Sequence, residues 1–66
     1  MKITANSKEF TVAEGTTISA FLSSLGRNPA RCVVEYNGKA LAFSAFADIV
    51  LSAGDRLEIM SVVAGG

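Results

Sequence analysis

The chain has 66 residues, of which half are apolar, and its six basic and six acidic side chains give a formal net charge of zero. This length allows one small domain that buries about 60% of its unfolded surface, and the apolar content argues against disorder. The basic residues are scattered, so nothing resembles the basic stripe of a nucleic-acid-binding protein. No apolar run approaches the roughly 20 residues of a membrane span, and the alternating start is unlike a signal peptide. Together with the single cysteine, which fits a reducing compartment, these features predict a cytoplasmic protein.

The first twelve residues predict a β-hairpin. Polar and apolar residues alternate over 2–6 and again over 8–12, which is the period of a half-buried strand. Asn6-Ser7, between the two segments, is a plausible tight turn.

A helix is predicted next, near residues 17–25. A threonine at position 16 or 17 can cap its N-terminus. Gly26 suits a left-handed C-terminal cap, and Pro29 prevents continuation. The apolar side chains recur at i, i+3, i+4 and i+7, the spacing of one helical face: Ile18, Phe21, Leu22 and Leu25.

The second half of the chain predicts further strands. Residues 32–36 are rich in β-formers and lead to Asn37-Gly38, a strong hairpin signal, after which residues 39–42 form a short return strand. Between residues 43 and 51 the pattern allows a short helical turn or an irregular loop, with Phe43 and Phe46 as core or loop anchors. A turn at residues 52–55 then precedes an alternating strand over residues 56–62.

These elements together predict an α+β domain of the ubiquitin-like β-grasp type. A single apolar helical face must be covered by one face of a sheet, so a mixed sheet of four to five strands packs on one main helix. The first and last strands can then pair in the centre of the sheet. We expect residues 1–62 to form the domain and residues 63–66 to form a flexible Gly-Gly tail.

The side chains offer little chemistry of their own, so the chain is not expected to be an enzyme. The absence of histidine excludes imidazole catalysis, and one cysteine without histidine makes a zinc site implausible. Cys32 opens an apolar strand and is expected to be an inert core thiol. Asp55, in the Gly54-Asp55 turn, is interpreted as a turn residue.

The terminal Gly65-Gly66 is the remaining candidate for covalent chemistry. Two final glycines occur by chance in roughly 0.5% of chains at average glycine usage, and a frayed end is the simplest explanation. A terminal carboxylate is a poor electrophile and needs activation, most simply adenylation by ATP. Two terminal glycines, which have no Cβ atoms, could enter a narrow active site and leave the terminal carbonyl open to attack. The sequence therefore permits a covalent carrier.

Over essentially all 66 residues the chain resembles the ThiS family of sulfur carriers in thiamine-thiazole biosynthesis. The resemblance rests on the Asn37-Gly38 turn, on the Gly54-Asp55 turn and on the ending Val62-Val63-Ala64-Gly65-Gly66. One difference stands out, because many family members carry a basic or Pro-Arg stretch after the Asn-Gly turn, where this chain has Leu41-Ala42-Phe43-Ser44.

The resemblance implies that Gly66 is the reactive residue. An adenylyltransferase of the ThiF type, related to ubiquitin-activating enzymes, would use ATP and magnesium to adenylate its carboxylate. Sulfur from a cysteine desulfurase or sulfurtransferase would replace AMP and leave a thiocarboxylate, which thiazole synthase of the ThiG type would use. Ala64 and Gly65 would thread into the partner active sites. The carrier itself would hold no cofactor. Apart from the resemblance, the residues predict no metal site, and an alternating set of strands without a large apolar excess predicts a monomer when free.

The last strand also provides a candidate docking surface. Leu57 and Ile59 should face the helix, which directs Arg56, Glu58 and Met60 outward. An exposed methionine near the tail is typical of adaptable interfaces.

Three other functions remain open from the sequence. One is a sulfur carrier of the type of the molybdopterin-synthase small subunit, although those chains are typically longer. The others are a ubiquitin-like protein modifier and a non-covalent binding module whose glycines are only a loose end.

Overall fold

The computed structural model describes residues 1–62, which form a five-stranded sheet covered on one face by a helix. The expected flexible tail, residues 63–66, lies outside the described residues. None of the described helices is long and apolar enough to cross a membrane. The elements in chain order are β1 (Lys2–Ala5), β2 (Lys8–Thr11), α1 (Ile18–Ser24), a 3-10 turn (Pro29–Arg31), β3 (Cys32–Tyr36), β4 (Lys39–Leu41), a second 3-10 turn (Phe43–Ala45) and β5 (Arg56–Ser61).

The sheet has the strand order β2-β1-β5-β3-β4, so the last strand lies in its centre. β5 runs parallel to β1, with Thr4 opposite Arg56, and antiparallel to β3 over five residue pairs. The two outer strands are hairpin partners of β1 and β3. This arrangement confirms the predicted central pairing of the first and last strands and the mixed β-grasp sheet.

The β1–β2 hairpin turns at the predicted residues. Asn6 and Ser7 both have positive φ angles, of 51° and 67°, which is the backbone of a type I′ turn and matches the twist of the flanking strands. The side chain of Asn6 has a second role, since it reaches across to β5 and bonds the backbone of Ile59.

Helix α1 has the caps that the sequence predicts. Thr17 is the N-cap, and its Oγ1 accepts a hydrogen bond of 3.1 Å from the Ala20 N–H. At the other end the N–H groups of Gly26 and Arg27 bond the carbonyls of Ser23 and Leu22, the pattern of a Schellman motif. Gly26 has φ +76°, as this motif requires.

The core lies between α1 and the sheet. Ile18, Phe21 and Leu22 are buried on the helix and pack with Ile3, Val34 and Leu57 of the strands. Leu25, the fourth residue of the predicted apolar face, is instead 37% exposed. The structure thus covers the first two turns of the helical face and leaves its C-terminal end partly open.

The segment between β4 and β5 contributes one of the two phenylalanines to the core. Phe46 is buried, and its ring is nearly perpendicular to that of Phe43, with the two centroids 5.7 Å apart. Phe43 itself is 58% exposed, so of the two expected roles, core residue or loop anchor, it is not a core residue. It begins a 3-10 turn at the surface.

Candidate functional site

Strand β5 separates buried from exposed residues as the sequence predicts. Leu57 and Ile59 are buried, while Arg56, Glu58 and Met60 are exposed on the other face. This alternation is the normal period of a strand with one face on a core. The three candidate docking residues therefore lie on the open face of the sheet.

The end of β5, from which the chain continues to residue 63, is held on both edges. On one edge Asn6 takes the place of a strand, because its Nδ2 donates to the Ile59 carbonyl at 3.0 Å and its Oδ1 accepts from the Ile59 N–H at 2.7 Å. On the other edge the Val62 N–H donates to the Arg31 carbonyl at 2.6 Å. The position and direction of the chain at residue 62 are consequently set by the sheet.

On the open face of the sheet, the area next to residue 62 is apolar, and the area towards the start of β5 is acidic. Met60 lies beside Val33 of β3, and the two side chains are 57% and 42% exposed. One step towards the start of β5, Glu58 lies directly opposite Glu35. Like charges at this position are destabilising, so the pair does not contribute favourably to the stability of the isolated domain.

On the other side of β5, a cleft of about 330 Å³ opens between the β1–β2 hairpin and the C-terminal end of α1. We call it the hairpin–helix cleft. Phe10, Leu25 and Ile59 supply its apolar lining, and Lys8 and Arg27 supply its positive charge. Nothing in the sequence periodicity indicates a cleft here, because its walls come from three separate elements.

A buried carboxylate lies at the opposite end of the sheet. Asp55 accepts hydrogen bonds from the Tyr36 hydroxyl at 2.6 Å, the Ser52 N–H at 2.7 Å and the Asn37 Nδ2 at 3.2 Å. Burial raises the pKa of Asp55, but these three hydrogen bonds together outweigh burial and hold it below the ordinary value of 3.8. The hydrogen bond to Asp55, and secondarily burial, raises the pKa of Tyr36 above 10.0. The group joins two turns and is structural.

Cys32 and the acidic residues form no recognisable metal or redox centre among residues 1–62. Cys32 is buried, with its Sγ 3.3 Å from the carbonyl oxygen of Asn28. In the part of the chain that the structure describes, no group of three or more His, Cys, Asp or Glu side chains could hold a metal ion. The predicted reactive tail residues Ala64, Gly65 and Gly66 lie outside the described residues.

Sequence reasoning missed the Asp55 hydrogen bonds, although a signal was present. Asn37-Gly38 and Gly54-Asp55 were each interpreted as turns. In the structure the two turns meet, and the Asn37 Oδ1 also accepts from the Arg56 N–H at 2.8 Å. Two Asx residues next to turn glycines, one on each side of a predicted strand pair, are the pattern from which this contact could have been inferred.

The fold and the placement of β5 define a class of protein, the ubiquitin-like β-grasp domains in which the central strand leads into the C-terminal segment. Within this class the family model of the ThiS family matches residues 1–66. The chain belongs to the ThiS family, and the resemblance noted from its turns and its ending is confirmed.

Solved structures of a related protein agree with this assignment. A crystal structure of the thiamine biosynthesis protein ThiS from Geobacter metallireducens is 33% identical, with each chain covered completely and a TM-score of 0.82. A solution NMR structure of a thiamine biosynthesis protein from the same organism is 35% identical, with a TM-score of 0.79 over all of this chain and 88% of the other.

A curated relative is a thiazole synthase from Paramagnetospirillum magneticum, which is 32% identical over 66 residues. All of this chain is matched, but the chain spans only about a fifth (20%) of the length of that relative.

Proposed function

We propose that this protein is a sulfur carrier that supplies the sulfur atom for the thiazole moiety of thiamine. Gly66 is the residue that carries the sulfur. Its carboxylate is adenylated, the adenylate is replaced by sulfur, and the resulting thiocarboxylate is the donor. Residues 1–62 are the domain by which the partner enzymes recognise and orient the tail.

The observation that supports this proposal most directly is the match of the ThiS family model through the final residue, Gly66. The similarity of residues 1–66 to part of a thiazole synthase supports thiazole formation as the reaction that uses the sulfur. The hydrogen bonds that hold Ile59 and Val62 fix the end of the domain, and so support its role in presenting the residues that follow.

The chemistry belongs to the partners and not to the carrier. An adenylyltransferase of the ThiF type, with ATP and magnesium, joins AMP to the Gly66 carboxylate and releases pyrophosphate. A persulfide, ultimately from a cysteine desulfurase or a sulfurtransferase, attacks the acyl carbon and expels AMP. Cleavage of the sulfur–sulfur bond by a thiol reductant leaves the thiocarboxylate. Thiazole synthase then takes the sulfur, and hydrolysis returns the carboxylate.

Three exposed residues of β5 belong to the proposed docking surface. Met60, together with Val33, offers an uncovered apolar area beside the point where the tail begins. Glu58 and Arg56 continue this face towards the start of the strand. A partner that receives the tail must approach this region, and a flexible methionine can adapt to more than one partner.

Intact-mass spectrometry of the carrier, after incubation with its adenylyltransferase, ATP, magnesium and a sulfur source, tests the proposal. Exchange of one oxygen for sulfur adds about 16 Da, nearly the same as oxidation of Met60 or Cys32, so fragmentation must localise the change to Gly66. We expect a thiocarboxylate that disappears when thiazole synthase and its other substrates are added.

Deletion of Gly66 is the matched control. The shortened chain should stay folded but should not be converted to the thiocarboxylate, because the reactive carboxylate has been moved by one residue. The proposal would be contradicted if the full-length carrier formed no thiocarboxylate under conditions in which a known member of the family forms one. Conjugates of the carrier with lysines of other proteins would also contradict it.

A further inference from the structure

The hairpin–helix cleft has the composition of a recognition site for another molecule. Its volume of about 330 Å³ is within the range of sites that hold a ligand or an inserted side chain. It lies between α1 and the inner side of β5, near the last described residues of the chain. The open sheet face with Met60 lies on the other side of the same strand.

The apolar part of the cleft is an uncovered portion of the core face. Leu25 has the helical register of Ile18 and Leu22, both of which are completely buried, yet it is 37% exposed. Below it lie the half-buried Phe10, whose ring packs edge-on against Phe21 at 5.3 Å, and Ile59. A side chain inserted here would complete the burial of Leu25.

The charged part of the cleft is positive. Within residues 1–62 the one ion pair joins Lys2 to Glu9, so neither Lys8 nor Arg27 has a carboxylate partner there. Arg27 is partly buried, and its Nη1 donates to the Ser61 Oγ at 2.5 Å, which holds the guanidinium beside the end of β5. A guanidinium fixed in this way can still bind a carboxylate through its other N–H groups.

The end of α1 does not oppose an anion as strongly as a bare helix C-terminus would. Its last carbonyl groups already accept hydrogen bonds from the N–H groups of Leu25, Gly26 and Arg27 and from the Ser24 hydroxyl. The carbonyls therefore present less uncompensated negative charge to the cleft.

We propose that the hairpin–helix cleft is a docking site for an acidic segment of the enzyme that adenylates the tail, with a carboxylate between Lys8 and Arg27 and an apolar side chain on Leu25. This inference rests on the proposed function. Charge complementarity identifies the chemistry of the occupant, because two cations that have no carboxylate partner among residues 1–62 border an apolar floor. The cleft and the Met60 face lie on opposite sides of β5, so a partner bound to both encloses the start of the tail.

Steady-state kinetics of the adenylyltransferase, with the carrier as the varied substrate, tests this docking site. The variants K8E/R27E and Leu25→Ser should each raise the KM for the carrier, K8E/R27E by about tenfold or more because of like-charge repulsion. The kcat should change little, since the interaction is equally present before and during the reaction. Lys39→Glu is the matched control, because Lys39 is exposed on β4 beside the opposite, Asp55 end of the sheet.

Ser61→Ala separates docking from support of the tail. It removes the hydrogen bond to Arg27 and leaves both cations, so it should raise the KM much less than K8E/R27E does. A KM increase with Ser61→Ala equal to that of K8E/R27E would show that Arg27 only positions β5, and would overturn the proposal.

Two further results would assign the cleft to another occupant and would also overturn the proposal. One is a dimer in sedimentation experiments that K8E/R27E dissociates, which would indicate a second copy of the chain. The other is a change in the amide NMR shifts of Phe10, Leu25 and Arg27 on deletion of residues 63–66, which would indicate that the chain's own tail occupies the cleft.

The outcome for the wild type distinguishes the two proposals. If the wild-type carrier never forms a thiocarboxylate at Gly66, the proposed function fails. If the wild type forms the thiocarboxylate and the cleft variants show unchanged KM values, only the docking-site proposal fails.

Discussion

At the scale of single residues, Asp55 is the side chain in the described part of the chain whose burial most requires compensating hydrogen bonds. It is 8% exposed and is the one buried charged residue among residues 1–62. Burial of an unpaired carboxylate is costly, and here three hydrogen bonds compensate for it. The same carboxylate connects the β3–β4 hairpin to the turn before β5, and so fixes where the central strand begins.

We predict that Asp55→Asn lowers the free energy of unfolding at pH 7 by about 2 kcal/mol, because the charge is lost and an NH2 donor replaces one of the two acceptor oxygens, which leaves at least one of the three donors without its acceptor. Since the folded-state pKa of Asp55 is below 3.8, its contribution is fully present above that value and is lost as the pH falls through the folded-state pKa. Urea unfolding at pH 7 and near pH 3 should show the difference between wild type and variant becoming smaller at the lower pH.

Asp48→Asn is the control for this prediction. Asp48 is exposed, and its substitution should leave the stability nearly unchanged at both pH values. An Asp55→Asn variant as stable as the wild type at pH 7 would mean that the three hydrogen bonds are not formed in solution.

At the scale of elements, β5 has two faces with different roles. Ile59 is 4% exposed and belongs to the core, while its neighbour Met60 is 57% exposed on the open face. Substitutions at the two positions should therefore affect different properties of the protein.

We predict that Ile59→Ala lowers the free energy of unfolding by about 2–5 kcal/mol through loss of buried contacts. Met60→Ser should change it by less than about 0.5 kcal/mol but should weaken binding to the adenylyltransferase. Thermal unfolding and calorimetric binding measure the two effects separately. Equal binding of the wild type and Met60→Ser would remove Met60 from the docking surface.

The elements that the sequence predicts well are those with strong local signals. Helix α1 was located by its apolar spacing, Thr17 and Gly26, and the first hairpin by alternation around Asn6-Ser7. The 3-10 turn at Pro29–Arg31 was not predicted, because three residues are too few to show a period and Pro29 indicated only the end of a helix. The choice between core residue and loop anchor stayed open for Phe43 for a similar reason, since a phenylalanine in an irregular segment gives no information about the direction of its side chain.

The candidate site could be predicted only in part. Alternation along β5 correctly gave the exposed face with Met60, because the period of a strand is a local property. The cleft, in contrast, requires Phe10, Leu25 and Ile59 to meet, and their distance from one another depends on how the hairpin and the helix pack. Sequence periodicity also implied that Leu25 is covered, whereas the packing of the other elements leaves it open.

At the scale of the whole molecule, the core and all the named elements lie within residues 1–62. We predict that removal of residues 63–66 changes the free energy of unfolding by less than about 0.5 kcal/mol, while it abolishes formation of the thiocarboxylate. Chemical denaturation of the full-length and shortened chains makes the comparison. A loss of several kcal/mol would show that the last four residues contribute to the fold and would move the proposed domain boundary.

The central position of β5 also has a consequence for biosynthesis. Thr4 pairs with Arg56, so the first strand emerges from the ribosome long before its neighbour exists. Contacts between residues so far apart in sequence form late and slowly, and until Ser61 has been made the β1–β2 hairpin and the β3–β4 hairpin have no strand to join them. A nascent or truncated chain is therefore unable to assemble the surfaces on either side of β5. On the proposed function, partner enzymes recognise the tail only after the surfaces on both sides of β5 have formed.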